Sequence, residues 1–312
     1  MNELMVHVRK DLRTQFSNSV FLLLVTALVM ISVLVAFQSS VSYLGSVHNQ
    51  QYVVADLSVD TARRQALSDF WGGILSIFAI VILLVSSFSL TGEKETGMTR
   101  FVLTYRTSKF KIYLSRFIAL SLLVLLACLI SLLTFLIVFS LMDVSVLRVD
   151  VLLASMVFPL LILLAFGAFG LLVSTLSSKK SAVISLALIA FVLGSIMVPS
   201  LQSAAYEDVY RHHPGVTRSN YTQFVSFEYI VGIFAYPLSL REGISQVLQL
   251  DNGMQAPFLS IEGDLMAGVI LIFLLFFVGY AMFNRERMEG PGIFRRLSLK
   301  AGARLDNRRK RK

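Results

Sequence analysis

Six long apolar stretches constrain this chain more than any other feature of its sequence. A helix needs about 20 apolar residues to cross the hydrocarbon core of a bilayer, and each stretch reaches that length. Hydrophobic residues make up 56% of the chain and charged residues only 15%, as in membrane proteins. Because backbone polar groups must be satisfied inside lipid, we predict an all-α, polytopic membrane protein with six transmembrane helices. The stretches lie near 18–38, 71–91, 117–142, 151–175, 181–200 and 264–283.

Lysine and arginine are distributed unevenly among the segments that connect these stretches. One alternating set of segments holds 22 of the 28 Lys and Arg residues, and the other set holds 6. The basic set comprises the N-terminus, 92–116, 176–180 and 284–312. Basic segments normally remain in the cytoplasm, so both termini are predicted to be cytoplasmic. The net charge of +9 then reflects orientation in the membrane, and nucleic acid is not an expected partner, because no recognition module is present.

The apolar stretches contain almost no ionisable side chains. Apart from Asp264, the first residue of the last stretch, they hold no Asp, Glu, Lys, Arg or His. Carriers driven by proton or sodium gradients usually keep such groups in the membrane. We therefore expect that any energy for transport arrives from outside the bilayer. An ion-coupled carrier or channel stays an alternative, because backbone carbonyls can also bind sodium.

Sequence motifs for catalysis and metal binding are absent. The chain has no G-x-x-x-x-G-K-[ST], no H-E-x-x-H and no G-x-S-x-G, so we expect neither catalytic residues nor nucleotide hydrolysis of the P-loop type. Asp208, His212 and His213 lie close together, but they are too few for an expected metal site. The single cysteine, Cys128, is expected to be a small buried apolar residue.

Short amphipathic segments are expected outside the bilayer. A stripe with helical spacing predicts a helix over 3–16 that either lies in the membrane interface or extends the first span; it consists of Leu4, Val8, Leu12 and Phe16. The segment 201–263 is too long for a simple connection, so it is predicted to hold re-entrant or interfacial helices broken at Pro237. Residues 238–250 are expected to form a short amphipathic helix.

Individual residues in the spans also carry expectations. Trp71 opens the second stretch and is predicted to be an anchor at the membrane interface. Pro159 predicts a bend in the fourth stretch, and Gly167 and Gly170 predict that another helix approaches it closely. Ser and Thr side chains in the spans are expected to bond mainly to backbone carbonyls, with a mildly polar path for cargo as the alternative.

The loop 92–116 reads GEKETGMTRFVLTYRTSKFKIYLSR and is longer than a crossing between two spans requires. Glu93 and Glu95 flank Lys94 at the membrane exit, and an amphipathic run follows. A short helix there could bury Phe101 against a partner while charges such as Arg100 guide the encounter. The alternative is a basic helix that lies on lipid.

The loop resembles that of ABC-2 type permeases, the membrane subunits of ATP-binding-cassette transporters. The resemblance rests on E-x-E-x-G after the second stretch, then an apolar turn, T-x-R-T-S-K and a new stretch, and it is closest to the branch that includes permeases of multicopper-enzyme maturation. It implies a coupling helix that docks on an ATPase. Its first part would hold Glu93, Glu95, Gly97 and Thr99, and its end Arg106, Thr107, Ser108 and Lys109. Arg106 and Ser115 depart from the proline and glycine common there.

The resemblance also implies partners and a location. It implies one permease domain over 1–283 and a basic cytoplasmic tail over 284–312, in a prokaryotic plasma membrane. A separate ATPase subunit would hold ATP and Mg, with no cofactor on this chain, and a second permease copy would complete an exporter. The remaining alternative is a non-transporting scaffold that relays force to an extracytoplasmic partner at 201–263. The tail is expected to contact anionic lipid.

Overall fold

A computed structural model describes residues 3–16, 19–48, 59–95, 108–144, 147–192, 244, 247–248 and 261–285. Every regular element within these ranges is a helix, so the all-α prediction is confirmed for the described residues. The helices are α1 (Glu3–Phe16), α2 (Ser19–His48), α3 (Val59–Glu95), α4 (Lys109–Leu141), α5 (Val149–Ser155), α6 (Val157–Leu176), α7 (Lys180–Val192) and α8 (Ile261–Arg285).

Five helical segments are long and apolar enough to cross a membrane. They are Val25–Gly45, Val59–Gly92, Lys109–Leu141, Val149–Leu176 and Gly268–Arg285. Large apolar side chains cover their outer surfaces, for example Ile137 on α4 and Phe273 on α8, which are 60% and 56% exposed. Lipid is as apolar as these side chains, so such a surface suits a membrane. A multi-pass membrane protein is therefore confirmed, while the fifth predicted span, 181–200, is described only to Val192, as the 13-residue α7.

Helix α3 extends well beyond the predicted span. It begins at Val59 rather than near residue 71 and runs for 37 residues, about 55 Å. The extension is helical because its apolar residues form one buried stripe, made of Ala62, Ala66, Leu67 and Phe70. The charged residues around them, Asp60, Arg63, Arg64 and Asp69, predict a solvated helical face. Asp69 is exposed as expected, but Arg64 is half-buried and bonded to the rest of the fold.

Helices α3 and α6 form the centre of the bundle, and α6 also contacts α4, α7 and α8. A Cβ atom added at Gly170 would lie 2.6 Å from the carbonyl oxygen of Leu83 on α3. A Cβ atom at Gly167 would lie 2.6 Å from the Leu120 side chain on α4. The predicted close approach at these two glycines is therefore confirmed.

The fourth predicted span is interrupted near its start. Helix α5 ends at Ser155 and α6 begins at Val157, with Met156 between them. Pro159 has no N–H to donate to the carbonyl of Ser155, four residues earlier, so the helix breaks at this point. The interruption falls one turn before the proline, close to the predicted bend.

The prediction for Trp71 is wrong. Its side chain is 0% exposed, and its Nε1 donates a hydrogen bond to Ser155 Oγ at 3.0 Å. Phe70 packs beside it and against Phe135 of α4, with ring centroids 5.3 and 4.9 Å apart. Because α3 continues past this point, Trp71 lies inside the bundle and not at a membrane surface.

Candidate functional site

The described ends of loop 92–116 lie at one end of the bundle. Helices α3, α6 and α8 end there, and α4 and α7 begin there. We call this the basic end, and the opposite end, where α3 begins, the far end. Residues 96–107 lie outside the described residues, and so does the Glu93 side chain, so the positions predicted for Gly97, Thr99, Arg100, Phe101 and Arg106 stay predictions.

Lys94 joins the start of the loop to the last turn of α6. Its Nζ donates to the carbonyl oxygens of Ser174 and Thr175 at 3.3 and 3.1 Å. Thr91 Oγ1 also lies 3.3 Å from the Ser174 carbonyl oxygen. The last carbonyls of a helix have no partner within the helix and carry partial negative charge, so an ammonium group is favourable there.

Glu95 forms an ion pair inside the chain. Its Oε2 lies 3.1 Å from Nζ of Lys180, the first residue of α7, and both side chains are about half exposed. An exposed pair of this kind contributes at most about 1 kcal/mol. A carboxylate predicted to contact an ATPase therefore also holds the hairpin between α6 and α7 beside the loop.

The end of the loop is fixed by Ser108 and Lys109. Ser108 is the N-cap of α4, with an extended backbone and a hydroxyl that accepts from the Lys111 N–H at 3.3 Å. Lys109 Nζ donates to the carbonyl oxygen of Asn284, in the last turn of α8, at 3.0 Å. Ser108 and Lys109, which are predicted to contact a partner, thus also fix the position at which the loop enters α4.

A buried ion pair attaches the N-terminal helix to α4. Arg116 Nη1 lies 3.0 Å from Asp11 Oδ1, with side chains 7% and 4% exposed. The Ser115 hydroxyl lies 3.1 Å from the other Asp11 oxygen. Ser115, which departs from the glycine common in similar permeases, therefore supports this pair. The sequence signal was Asp11, an acid on the same helical face as the buried Val8.

The predicted apolar stripe on α1 is partly buried against the rest of the protein. Val8 is 5% exposed, Leu4 and Leu12 are half-buried, and α1 packs mainly on α4. The side chain of Phe16 lies outside the described residues. The membrane-interface location of α1 stays a prediction.

An aromatic cluster packs α8 against α4 near the basic end. Phe276 lies between Tyr113 and Phe117, with ring centroids 5.2 and 5.0 Å away. Tyr280 lies 5.2 Å from Phe110, and Phe283 lies 5.8 Å from Tyr113. The sequence analysis did not identify this cluster, although aromatic residues three to four apart on each helix are its signal.

Hydroxyls inside the spans mostly bond to their own helix, as expected. Ser87 donates to the Leu83 carbonyl at 2.6 Å, and Thr134 donates to the Ile130 carbonyl at 2.9 Å. The hydroxyls of Ser32 on α2 and Ser131 on α4 also lie 3.2 Å apart beside an apolar cavity of about 50 Å³. These contacts favour helix packing over a polar path. Within the described ranges no group of three His, Cys, Asp or Glu residues could hold a metal ion.

The basic end joins one loop to four helices through backbone carbonyls and charged pairs, an arrangement suited to transmitting movement. The search of curated proteins found no match. The sequence matches the family model described as ABC-2 family transporter protein over residues 5–288, nearly the whole chain. The chain therefore belongs to the ABC-2 family, as a multi-pass membrane permease subunit of an ATP-binding-cassette transporter.

Proposed function

We propose that this permease is an exporter subunit driven by a separate ATPase that docks on loop 92–116. The observation that carries the proposal is the position of the loop between the two longest described helices, α3 with 37 residues and α4 with 33. Each is an uninterrupted rod, so a displacement of the loop would move both helices along their full length. The partner would hold ATP and Mg, since this chain has no P-loop.

The charge distribution supports a cytoplasmic basic end. The N-terminus and the segments 92–116, 176–180 and 284–312 hold 22 of the 28 Lys and Arg residues. Docking of an ATPase requires this end to face the cytoplasm, with both termini on that side of a prokaryotic plasma membrane. A second permease copy completes the transporter. Export is favoured because no feature of the chain suggests a solute receptor.

Connectivity supports a sixth crossing through α7. Lys180 contacts Glu95 at the basic end. Arg64 Nη1 donates to the Leu248 carbonyl oxygen at 3.2 Å, near the start of α3. Residues 64 and 95 of one straight helix are separated by about 47 Å. These two contacts at opposite ends of α3 support a crossing of the bundle between residues 180 and 248, as six spans require.

A second candidate function has one observation in its favour. Ile244 and Leu248 are 1% and 0% exposed and pack in the core, and Arg64 of α3 bonds the Leu248 carbonyl. Movement of α3 would therefore reach the segment before the last span, which suits a scaffold that relays force to an extracytoplasmic partner. Crosslinks from 201–263 to such a partner, without solute flux, would favour this function.

The docking role is tested by co-purification with an ATP-binding-cassette ATPase, sought among the proteins encoded near this gene. We expect Glu93→Lys with Glu95→Lys to abolish co-purification and the permease-dependent stimulation of ATP hydrolysis in liposomes. Charge reversal removes the attraction that guides encounter and places cations beside an already basic run. Intact assembly with normal hydrolysis would contradict the docking role. Solute flux driven by an ion gradient without the ATPase would support the carrier alternative.

The ion pair between Glu95 and Lys180 needs its own control. Lys180→Glu breaks the same pair but leaves the loop sequence intact, so it is expected to retain assembly. The double variant Glu95→Lys with Lys180→Glu restores opposite charges and is expected to remain defective. Full recovery in the double variant would mean that Glu95 acts through Lys180 and does not contact the ATPase.

A further inference from the structure

Each end of loop 92–116 carries a lysine that bonds the C-terminal carbonyls of a helix that the loop does not join. At the start of the loop, Lys94 donates to the carbonyls of Ser174 and Thr175 in the last turn of α6. At its end, Lys109 donates to the carbonyl of Asn284 in the last turn of α8. The chain separations are 80, 81 and 175 residues, so these are tertiary contacts.

We propose that Lys94 and Lys109 are positioning residues that extend the action of the loop from α3 and α4 to α6 and α8. The inference rests on the proposed function. It adds Lys94 and the helices α6 and α8, and it gives Lys109, which the resemblance places at the end of the docking element, a second role toward α8. An ammonium group has three donors and no acceptor, so it can hold several carbonyl oxygens at once. The negative end of the helix dipole strengthens the contact.

The packing below each lysine lets the contact act on a whole helix. Gly170 brings α6 so close to α3 that an added Cβ would meet the Leu83 carbonyl oxygen, and the cluster around Tyr113 joins α8 to α4. Lys94 therefore lies at the basic end of α3 and α6, which pack extensively on each other, and Lys109 lies beside the aromatic cluster that joins α4 to α8. A displacement of the loop then reaches four spans.

The inference is tested with lysine variants that keep the aliphatic stem. Lys94→Met and Lys109→Met remove the donors and the charge, and Lys94→Arg keeps both. Lys179→Met is the matched control, because Lys179 is an exposed lysine at the same end of the bundle. All variants are prepared as the complex with the ATPase in liposomes, with Cys128→Ser to remove the native thiol.

Movement is measured as the ATP-dependent change in distance between spin labels at the far end. A label at Val47 of α2 serves as the reference for labels at Val59 of α3, Val157 of α6 and Met266 of α8, which are exposed positions. We expect Lys94→Met to reduce the change at Val157 at least twofold. Lys109→Met should reduce the change at Met266 to the same extent.

The control variants define the outcomes. We expect Lys94→Arg and Lys179→Met to keep the full change at every position, and Lys94→Met to keep the change at Val59, because α3 is attached to the loop by the chain itself. A full change at Val157 and Met266 in the methionine variants, with the change at Val59 intact, would overturn the inference alone. No ATP-dependent change at Val59 in the parent, or no co-purification, would overturn the proposed function and with it this inference.

Discussion

The basic end and the far end of the bundle are held by different kinds of interaction. At the far end, α3 buries an apolar stripe that includes Leu67 and Phe70, and Trp71 donates to Ser155 from a fully buried position. At the basic end, Lys94 and Glu95 make half-exposed contacts to backbone carbonyls and to Lys180. Apolar packing is dense and hard to rearrange, whereas exposed polar contacts exchange readily with water. The difference suits a bundle that receives a displacement at the basic end and carries it to the far end through helices that stay packed together.

The basic end also contains a buried ion pair, Asp11 with Arg116, which provides the largest predicted effect. Asp11→Ala leaves the Arg116 charge buried without its carboxylate, which costs about 3–5 kcal/mol in similar cases. We expect a large fall in the thermal unfolding midpoint of the detergent-solubilised protein. The matched control is Asp150→Ala, which removes an ion pair with Arg148 whose side chains are 61% and 85% exposed at the far end.

The comparison of Asp11→Ala with Asp150→Ala shows whether burial of an ion pair, and not the loss of a charge alone, determines the effect on stability. Asp150→Ala should change the stability by less than about 1 kcal/mol, because exposed pairs contribute little. The double variant Asp11→Leu with Arg116→Met should recover most of the stability, since apolar replacement of both partners removes the buried charge. Equal effects of Asp11→Ala and Asp150→Ala would show that α1 does not depend on the buried pair.

The second-largest effect is expected at Gly170, where α6 packs closely on α3. Gly170→Ala places a Cβ atom 2.6 Å from the Leu83 carbonyl oxygen, so the backbones of α3 and α6 must separate. Overpacking of this kind costs about 1–3 kcal/mol. Gly45→Ala is the control, because an added Cβ there has no neighbour within 4 Å. A loss of thermal stability at position 45 equal to that at position 170 would contradict the close approach.

At the far end, the bond between Trp71 and Ser155 is tested by a double-mutant cycle. Trp71→Phe and Ser155→Ala each remove one partner of a buried hydrogen bond. We expect a coupling energy of about 0.5–1.5 kcal/mol from the thermal unfolding of the four proteins. A coupling energy near zero would mean that Trp71 contributes through its ring alone.

The helices could be predicted from the sequence because lipid requires continuous apolar surface. The predicted span near 151–175 matches the segment formed by α5 and α6 closely, and the span near 117–142 ends with α4 but begins eight residues after it. The start of α3 could not be predicted in this way, because charged residues interrupt the apolar stretch there. In 59–70 the buried Ala62 and Ala66 alternate with Asp60 and Arg63, so the sequence predicts a solvated helical face and does not show that the other face packs on protein.

The contacts of the basic end could not be predicted, although the residues were named. Glu95 and Lys109 are assigned to the docking element, and Lys94 lies between its two glutamates. The acceptors of both lysines are backbone carbonyls, 80 or more residues away in the sequence. Any residue type presents a carbonyl at a helix end, so the sequence holds no pattern for these bonds. The Trp71 error has a similar origin, because its position inside the bundle depends on where α3 begins.

The smallest predicted effect concerns the half-exposed pair of Glu95 and Lys180 at the basic end. Lys180→Met should change the unfolding free energy by less than about 1 kcal/mol, and the difference from the parent should shrink as salt rises, because exposed charges are screened. The measurement is the thermal midpoint of both proteins at low and high ionic strength. A difference that persists at high salt would place this pair among the fixed contacts, and the basic end would then resemble the far end.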